Sequence, residues 1–471
     1  MPSDVTGDAQ SALDVGLLSP VTVGADRGLD DESLVGCLVA AEVALTRAWS
    51  VAGVAPAGVA DEVSAALGWQ GPGLPCAVPA GFPVDRLVTE AVAGGNPVIP
   101  IVAMLRERVP ERARGWVHRG TTSQDIVDTA LMLAARGAAT RMLADLRQTE
   151  GVLCRLASER RDQVAAGRTL TQHAVPTTVG LRAAGWLRGI RRAIHRLELA
   201  AAELPAQLAG AAGTLAAYVE VGGVEAASRL PGLVAAELGL AEPDGPWHTV
   251  RWPLTEFGDA LVQVVDAVGV LAADVATLSR TEIGELAEGV GGGSSAMPQK
   301  QNPAGAVLIR SAALRAPQLG ATLHLAAALA VDERPDGPWQ AEWPTLRELA
   351  RLASGAAATA ARLTAGLAVD DAAVRRNLQL THGLIVAERL SHVLGPVLGA
   401  ARVKELVAAA SAGANLGEVL RAEPAVVESA IDIDDLLDPA AYTGLAGTLV
   451  DAAVTACAEG CCPPTSRSQE P

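Results

Sequence analysis

The sequence predicts an all-α protein in which a long central helical bundle is flanked by two smaller helical domains. Half of the 471 residues are apolar, and the surplus consists of Ala, Leu and Val, which suit closely packed helices. Beyond residue 116, four stretches keep helical spacing for longer than the ~10–14 residues of an average helix. Connectors rich in Gly and Pro separate shorter helical stretches on either side.

The first region of the chain predicts a small helical domain over residues 1–115. Apolar residues recur at helical spacing over residues 31–53 and again over residues 83–108. A Gly- and Pro-rich connector at residues 71–79 separates the two stretches, as expected between helices.

The central region predicts a long-helix domain over residues 116–361. Helices this long and apolar on most sides are expected to pack against equivalent helices of other subunits, so we expect a homo-oligomer. After residue 361 the helical stretches shorten and turn residues multiply, which predicts a C-terminal helical domain over residues 362–459. The last residues, 460–471, are rich in Pro and Ser and are expected to be disordered. The four central stretches cover residues 125–163, 177–204, 254–289 and 303–331.

Charge and cysteine usage exclude several classes of protein. A net charge of −16 argues against nucleic acid or an anionic membrane as a partner. Residues 1–20 lack an apolar leader, and Asp266 and Asp274 interrupt the most apolar long stretch, so we expect a cytoplasmic protein without a membrane span. The six cysteines show no metal-ligand spacing, so we expect reduced thiols and neither a metal nor an organic cofactor.

Three segments rich in Thr, Ser, Gly or Pro lead directly into predicted helices, and each is a candidate anion site. In the first, residues 118–125, Thr122 or Ser123 can cap the next helix while backbone N–H groups remain free. For this segment alone, simple capping is the better-supported interpretation.

In the second segment, residues 171–178, Pro176 is placed to open a helix just after His173, and a histidine there suits proton transfer near neutral pH. A capping or buried histidine explains His173 equally well.

The third segment, residues 291–303, is the most specific. Three glycines are followed by Ser294 and Ser295, then by Lys300, and finally by Asn302 and Pro303 in the positions that begin a helix. A plain glycine linker does not need this order of residues. The segment therefore indicates a functional loop with hydroxyl groups and one cation.

This loop closely resembles the G-S-S-x-M-P-x-K-x-N-P signature of the fumarase/aspartase superfamily, and every fixed position matches. The resemblance implies that Ser294 is the general base, on a loop that closes over substrate, and that Lys300 and Asn302 hold a substrate carboxylate. The other two segments resemble the family's H-x-G-x-T-S-x-D and Q-H-x-x-P-T-T motifs. They imply substrate-binding roles for His118, Thr122 and Ser123, and a catalytic role for His173.

Within the superfamily, several stretches resemble the bacterial 3-carboxy-cis,cis-muconate cycloisomerases of protocatechuate catabolism, in the β-ketoadipate pathway. The W-H-T-x-R stretch adds Thr249 and Arg251 as implied substrate-binding residues. Two departures are Trp252, where an acidic residue is expected, and the turn at residues 380–383, where more glycine is expected. The matching stretches are residues 95–100, 247–251, 307–310, 339–343 and 437–442.

The resemblance implies a cycloisomerase that forms a lactone from a tricarboxylate muconate by proton transfer α to a carboxylate, through an aci-carboxylate intermediate. The alternative is a lyase of the same fold that removes a β substituent from a succinate, as in adenylosuccinate or nitrosuccinate. A non-catalytic protein of this fold is disfavoured by the intact motif residues. The family also implies a homotetramer in which each active site draws its three motifs from three subunits, with a di- or tricarboxylate as the small-molecule partner.

Overall fold

The computed structural model describes residues 15–78, 81–289, 292–293 and 297–460. Helices dominate these residues, and the strands are short, which confirms the predicted all-α class. The predicted disordered tail lies outside the described residues beyond residue 460, and the same holds for residues 1–14 of the N-terminal stretch.

The N-terminal region contains the helices that the apolar spacing predicts. Asp30 caps α1, because its carboxylate accepts a hydrogen bond from the Ser33 backbone N–H at 2.9 Å. α1 packs against α2 and α7. The predicted helix over residues 83–108 is two helices, broken at Gly95, whose φ of 64° is left-handed. The helices are α1 (Asp31–Val51), α2 (Val59–Ala66), α3 (Val84–Gly94) and α4 (Val98–Arg108).

Long helices fill the central region, and four of them match the predicted stretches. Two further long helices, α7 and α10, were not predicted, because Gly223 and Pro231 in the first and Pro344 in the second interrupt their patterns. The six helices are α5 (Ser123–Glu159), α6 (Val179–Ala202), α7 (Ala216–Leu238), α8 (Trp252–Leu278), α9 (Ala304–Ala328) and α10 (Pro338–Ala365).

A β-hairpin between α5 and α6 corrects one prediction. Pro176 does not open a helix: it lies in strand β2 (Gln172–Thr178), which pairs antiparallel with β1 (Val164–Thr169). The connecting residues, Leu170 and Thr171, both have positive φ, as a tight two-residue hairpin turn requires. The turn lacks the Asn or Gly that usually marks this geometry in a sequence, so the sequence did not predict the hairpin.

Short helices follow α10, as the frequent turn signals predicted. They are α11 (Asp371–Gln379), α12 (Ala387–Leu398), α13 (Ala400–Ser411), α14 (Leu416–Arg421), α15 (Pro424–Glu428), α16 (Ile433–Leu437) and α17 (Ala446–Gly460). A second, two-residue pairing joins β3 (Leu286–Ala287) to β4 (Ala368–Val369).

The chain divides into two compact units. The first contains residues 1–145, 193–266 and 308–359, and the second contains residues 146–192, 267–307 and 360–471. The borders fall within α5, α6, α8, α9 and α10, whereas the predicted domain borders fall at residues 115 and 361. The division into three domains therefore stays a prediction.

By length and apolar composition alone, α1 and α8 are capable of crossing a membrane. In α1, 78% of the most apolar window is buried inside the protein, which is typical of a core helix. The corresponding share in α8 is 44%.

Candidate active site

The start of α5 is organised by its own sequence. Thr122 directly precedes the helix, and its backbone N–H donates to the carboxylate of Asp125, three residues on, at 3.2 Å. Ser123 is the first helical residue, and both Thr122 and Ser123 are half-buried. The first N–H groups of an α-helix have no carbonyl partner within it, so this end of α5 favours an anion.

Asp125 is completely buried and binds several parts of the first unit together. Its carboxylate accepts hydrogen bonds from the backbone N–H groups of Ala209 and Gly210 at 3.0 and 2.9 Å, and from the Tyr218 hydroxyl at 3.1 Å. It also lies 2.8 Å from Nε2 of His248. Asp125 was not among the predicted site residues, although its place in the H-x-G-x-T-S-x-D motif was a usable signal.

The W-H-T-x-R stretch, residues 247–251, lies next to the start of α5 through the contacts of His248. In addition to the Asp125 contact, the His248 carbonyl accepts a hydrogen bond from Gln124 Nε2 at 2.9 Å. Thr249 follows His248 and is half-buried, and its hydroxyl has no hydrogen-bond partner within the described residues. The structure therefore places Thr249 in the neighbourhood of Thr122 and Ser123.

Gly120 and His118 shape the turn that precedes α5. Gly120 has a φ of 86°, and a Cβ atom there would lie 2.9 Å from the Tyr218 ring, so only glycine fits. Nδ1 of His118 lies 2.7 Å from the buried Glu42 carboxylate. Burial alone would lower the pKa of His118, but the charge and hydrogen bond of Glu42 outweigh it and raise the pKa. The fold thus favours the protonated form of His118.

The position of Arg251 corrects another prediction. Its guanidinium is fully buried and is held by the carboxylates of Asp128 and Glu342 at 2.7 and 2.6 Å. Its N–H groups also reach the carbonyls of Trp247 and His248. No donor remains for a substrate, so Arg251 is a structural residue, contrary to the substrate-binding role that the resemblance implied.

His173 lies in β2, in the second unit, and its ring is half-buried. Nδ1 is buried and has no hydrogen-bond partner among the described residues. Burial and the nearby charge of Arg168 lower the pKa of His173, against an opposing effect of Glu285. The neutral imidazole is therefore favoured at neutral pH, unlike the imidazole of His118.

Glu285 anchors the charges around the hairpin. Its carboxylate is 1% exposed and binds Arg168 at 2.6 Å and Arg182 at 3.3 Å, and it accepts a hydrogen bond from Asn377 at 2.9 Å. Burial would raise the pKa of Glu285, but these donors lower it and keep the carboxylate charged. Glu285 and both arginines were not predicted as a cluster, because they are far apart in the chain.

The loop before α9 is also in the second unit, and it is described only in part. Ser294 and Ser295 lie outside the described residues, so the predicted base stays a prediction. Lys300 is exposed and forms no ion pair with a described residue. Asn302 pairs with Gly292 through backbone hydrogen bonds of 2.8 and 2.9 Å, which closes the base of the loop. The Glu288 carboxylate caps α9 by accepting from the N–H groups of Gly305 and Ala306 at 3.0 and 2.7 Å.

The predicted site residues thus form two groups. The first unit contains His118, Thr122, Ser123 and Thr249 near the start of α5, with Arg251 in its interior. The second unit contains His173, Lys300 and Asn302. No group of three His, Cys, Asp or Glu side chains able to hold a metal occurs among the described residues.

Comparison with known proteins defines the class. A family model described as Lyase matches residues 25–317, and the chain belongs to the fumarase/aspartase superfamily as an enzyme of that group. The chain is 43% identical to a nitrosuccinate lyase of Streptomyces davaonensis, over 96% of this chain and 97% of the relative.

Other similar proteins are muconate cycloisomerases. A 3-carboxy-cis,cis-muconate cycloisomerase of Pseudomonas aeruginosa is 40% identical, over 88% of this chain and 90% of the relative. Among solved structures, the 3-carboxy-cis,cis-muconate lactonizing enzyme of Pseudomonas putida has a TM-score of 0.84 and is 35% identical, covering 94% of this chain and 99% of that chain.

Proposed function

We propose that the protein eliminates nitrite from nitrosuccinate, or from a closely related β-substituted succinate. The observation that carries this proposal is the match to a nitrosuccinate lyase, which is 43% identical over nearly the whole of both chains. Trp252 adds support, because it departs from the cycloisomerase pattern directly after the buried Arg251, at the first residue of α8.

In the proposed reaction, Ser294 removes a proton from the carbon next to one substrate carboxylate, which leaves an aci-carboxylate dianion. The C–N bond then breaks, its electron pair leaves with nitrite, and a C–C double bond forms to give fumarate. Lys300 and the hydrogen-bonding groups of the loop stabilise the dianion and help Ser294 to act as a base.

The leaving group agrees with the environment of His173. Nitrite, like a carboxylate, is the base of an acid that is ionised at neutral pH, so it departs without being protonated. A neutral His173 with a lowered pKa suits such a departure. An amine leaving group, as in adenylosuccinate, requires proton donation, so the lowered pKa disfavours that alternative.

The second candidate is lactone formation from 3-carboxy-cis,cis-muconate. It is supported by the Pseudomonas relative at 40% identity and by the solved lactonizing enzyme with a TM-score of 0.84. Its leaving group in the reverse direction is a carboxylate, whose conjugate acid has a pKa of about 4. The same chemistry at Ser294 serves both candidates, so only substrate choice separates them.

A direct assay separates the candidates. Purified protein is incubated with nitrosuccinate, and nitrite is measured colorimetrically beside fumarate by its ultraviolet absorbance. Parallel reactions follow the loss of the muconate diene absorbance and the cleavage of adenylosuccinate. Nitrite and fumarate in equal amounts support the proposal, whereas turnover of the muconate alone supports the second candidate.

Two serine variants test the base. Ser294→Ala should lower turnover by about 10²- to 10⁴-fold, because it removes the proton acceptor. Ser295→Ala changes the neighbouring hydroxyl and is the matched control, for which a smaller loss is expected. Equal losses in both variants would contradict the assignment of Ser294.

The assembly completes the proposed site. Large apolar side chains are exposed on α8 and α9, with Val270 61%, Leu314 78% and Leu325 63% exposed, which supports a homotetramer built on the long helices. We expect light scattering to give the mass of a tetramer. Mixing inactive Ser294→Ala and His173→Ala chains should then restore some activity, and no recovery in mixed tetramers would argue against shared sites.

A further inference from the structure

Arg334 lies in the segment that joins α9 to α10, outside every motif of the sequence analysis. One of its terminal nitrogens, Nη2, donates a hydrogen bond to the Thr122 hydroxyl oxygen. The same nitrogen lies 3.4 Å from the carbonyl oxygen of Ala211. A guanidinium group is therefore held beside the residue that precedes α5, within the first unit.

The positive charge of Arg334 is not neutralised by any described residue. No described carboxylate lies within 4.0 Å of its nitrogens, and its buried Nε has no hydrogen-bond acceptor among the described residues. Buried polar atoms in folded proteins almost always have a partner, so an unpaired one requires an explanation. Arg251 in the same unit shows the usual arrangement, with two carboxylates around one guanidinium.

The surroundings of Arg334 favour a small anion. The N-terminal end of α5 adds free backbone N–H groups and a positive partial charge. The Thr122 hydroxyl accepts from Arg334, so its own proton is free to reach another acceptor. A guanidinium presents paired, coplanar N–H groups that match a planar group with two oxygens, such as a carboxylate.

We propose that Arg334 and Thr122 together bind a planar two-oxygen group of the substrate. The idea rests on the proposed lyase function, which supplies two kinds of such group, the carboxylates and the nitro group. Lys300 is then not the only cation that holds the substrate. Arg334 is a substrate-binding residue contributed by a segment that the motifs do not cover.

The two kinds of group predict different kinetics. The carboxylate away from the deprotonated carbon keeps its charge throughout the proposed reaction, so losing its partner weakens binding and raises KM. The carboxylate next to that carbon gains charge in the aci-carboxylate, so losing its partner raises the fumarate Kd and also lowers kcat. A nitro group gains negative charge as it leaves as nitrite, so losing its partner mainly lowers kcat.

The experiment uses the full-length protein and three variants. Arg334→Gln removes the charge, and Arg334→Lys keeps the charge without the planar fork. Arg112→Gln is the matched control, because Arg112 is an exposed arginine of the same unit and, within the described part of the chain, pairs only with Glu62. For each protein, kcat and KM for nitrosuccinate, the Kd of fumarate by calorimetry and the Tm are measured.

We expect Arg334→Gln to lower kcat/KM by about 10- to 100-fold, the usual effect of losing a hydrogen bond to a charged group. Arg334→Lys should recover part of this loss, and both variants should keep the Tm of the wild-type protein. A raised fumarate Kd with a raised KM identifies the carboxylate as the bound group. A lowered kcat with an unchanged fumarate Kd identifies the nitro group.

Other results would overturn the proposal. These are kcat, KM and fumarate Kd all within about twofold of wild-type in Arg334→Gln, or an equal loss in Arg112→Gln. A lower Tm with unchanged kcat/KM would also overturn it, because it would show a structural role alone. Fumarate binding does not depend on nitrosuccinate turnover. If nitrosuccinate is not turned over but Arg334→Gln still weakens fumarate binding, the proposed function fails and the role of Arg334 stands.

Discussion

Arg251 and Arg334 lie in the same unit and occupy opposite kinds of environment. Arg251 belongs to a recognisable motif, yet its guanidinium is enclosed by Asp128 and Glu342 and has no access to a ligand. Arg334 belongs to no motif, yet its charge has no counter-ion among the described residues and its side chain reaches Thr122. A motif arginine is therefore not necessarily a binding arginine, since its partners decide whether its charge is available.

The largest effect on stability is expected from removing the buried charge of Arg251, which pairs with Asp128 and Glu342. Arg251→Met should lower the free energy of unfolding by about 3–5 kcal/mol, because two buried carboxylates lose their counter-charge. Chemical denaturation of the wild-type and variant proteins measures this difference. Adding Glu342→Gln to Arg251→Met should restore part of the stability, since it removes one of the unpaired charges. A change below about 1 kcal/mol, the usual effect at an exposed pair, would refute the structural role of Arg251.

The next largest effect is expected at Asp125. Asp125→Asn should lower the free energy of unfolding by about 2–3 kcal/mol, because the amide nitrogen faces donors that the carboxylate oxygen accepted. Turnover should fall as well, since Asp125 holds Thr122 and His248 in place. Thermal unfolding and steady-state kinetics on the same samples test both parts. Asp61→Asn, at an exposed residue of α2, is the control and should change neither quantity.

The pair of His118 and Glu42 predicts a smaller and pH-dependent effect. The fold raises the pKa of His118, so the charged imidazole stabilises the folded state. This contribution is complete below the unfolded pKa of about 6.5, and it is lost as the pH rises through the higher folded value. Glu42→Gln should therefore destabilise the protein by about 1 kcal/mol at pH 6 and by progressively less at higher pH.

Denaturation curves between pH 6 and pH 9 test this dependence. A difference between wild-type and Glu42→Gln that grows with rising pH would have the wrong sign and would exclude the proposed pairing. NMR titration of the His118 ring gives an independent measure of its pKa.

The smallest effect on stability is expected at Arg334. Arg334→Gln should change the free energy of unfolding by less than about 0.5 kcal/mol, because the side chain is half-buried and pairs with no described carboxylate. The contrast between the two arginines is supported if Arg251→Met loses stability while Arg334→Gln loses activity. The contrast fails if both variants lose stability to the same extent.

The long helices were predictable because their apolar spacing is a local property. The predicted stretches match the starts of α1, α5, α8 and α9 within a few residues, and also the ends of α1 and α9. For α5 and α8, the predicted stretch continued into the following loop. α7 and α10 escaped prediction, because tertiary packing tolerates their glycine and proline residues. The β1–β2 hairpin escaped for a related reason, since a turn formed by Leu170 and Thr171 has no sequence signal.

The class of enzyme is readable from the amino-acid sequence alone, because motif residues close together in the chain carry the chemistry of the superfamily. The order of Ser294, Lys300 and Asn302 on one loop needs no folding to be recognised. Which charges are free and which are neutralised depends instead on how the chain folds. Glu42 reaches His118 across 76 residues and Arg251 reaches Glu342 across 91, and such pairings depend on the packing of distant helices rather than on local spacing.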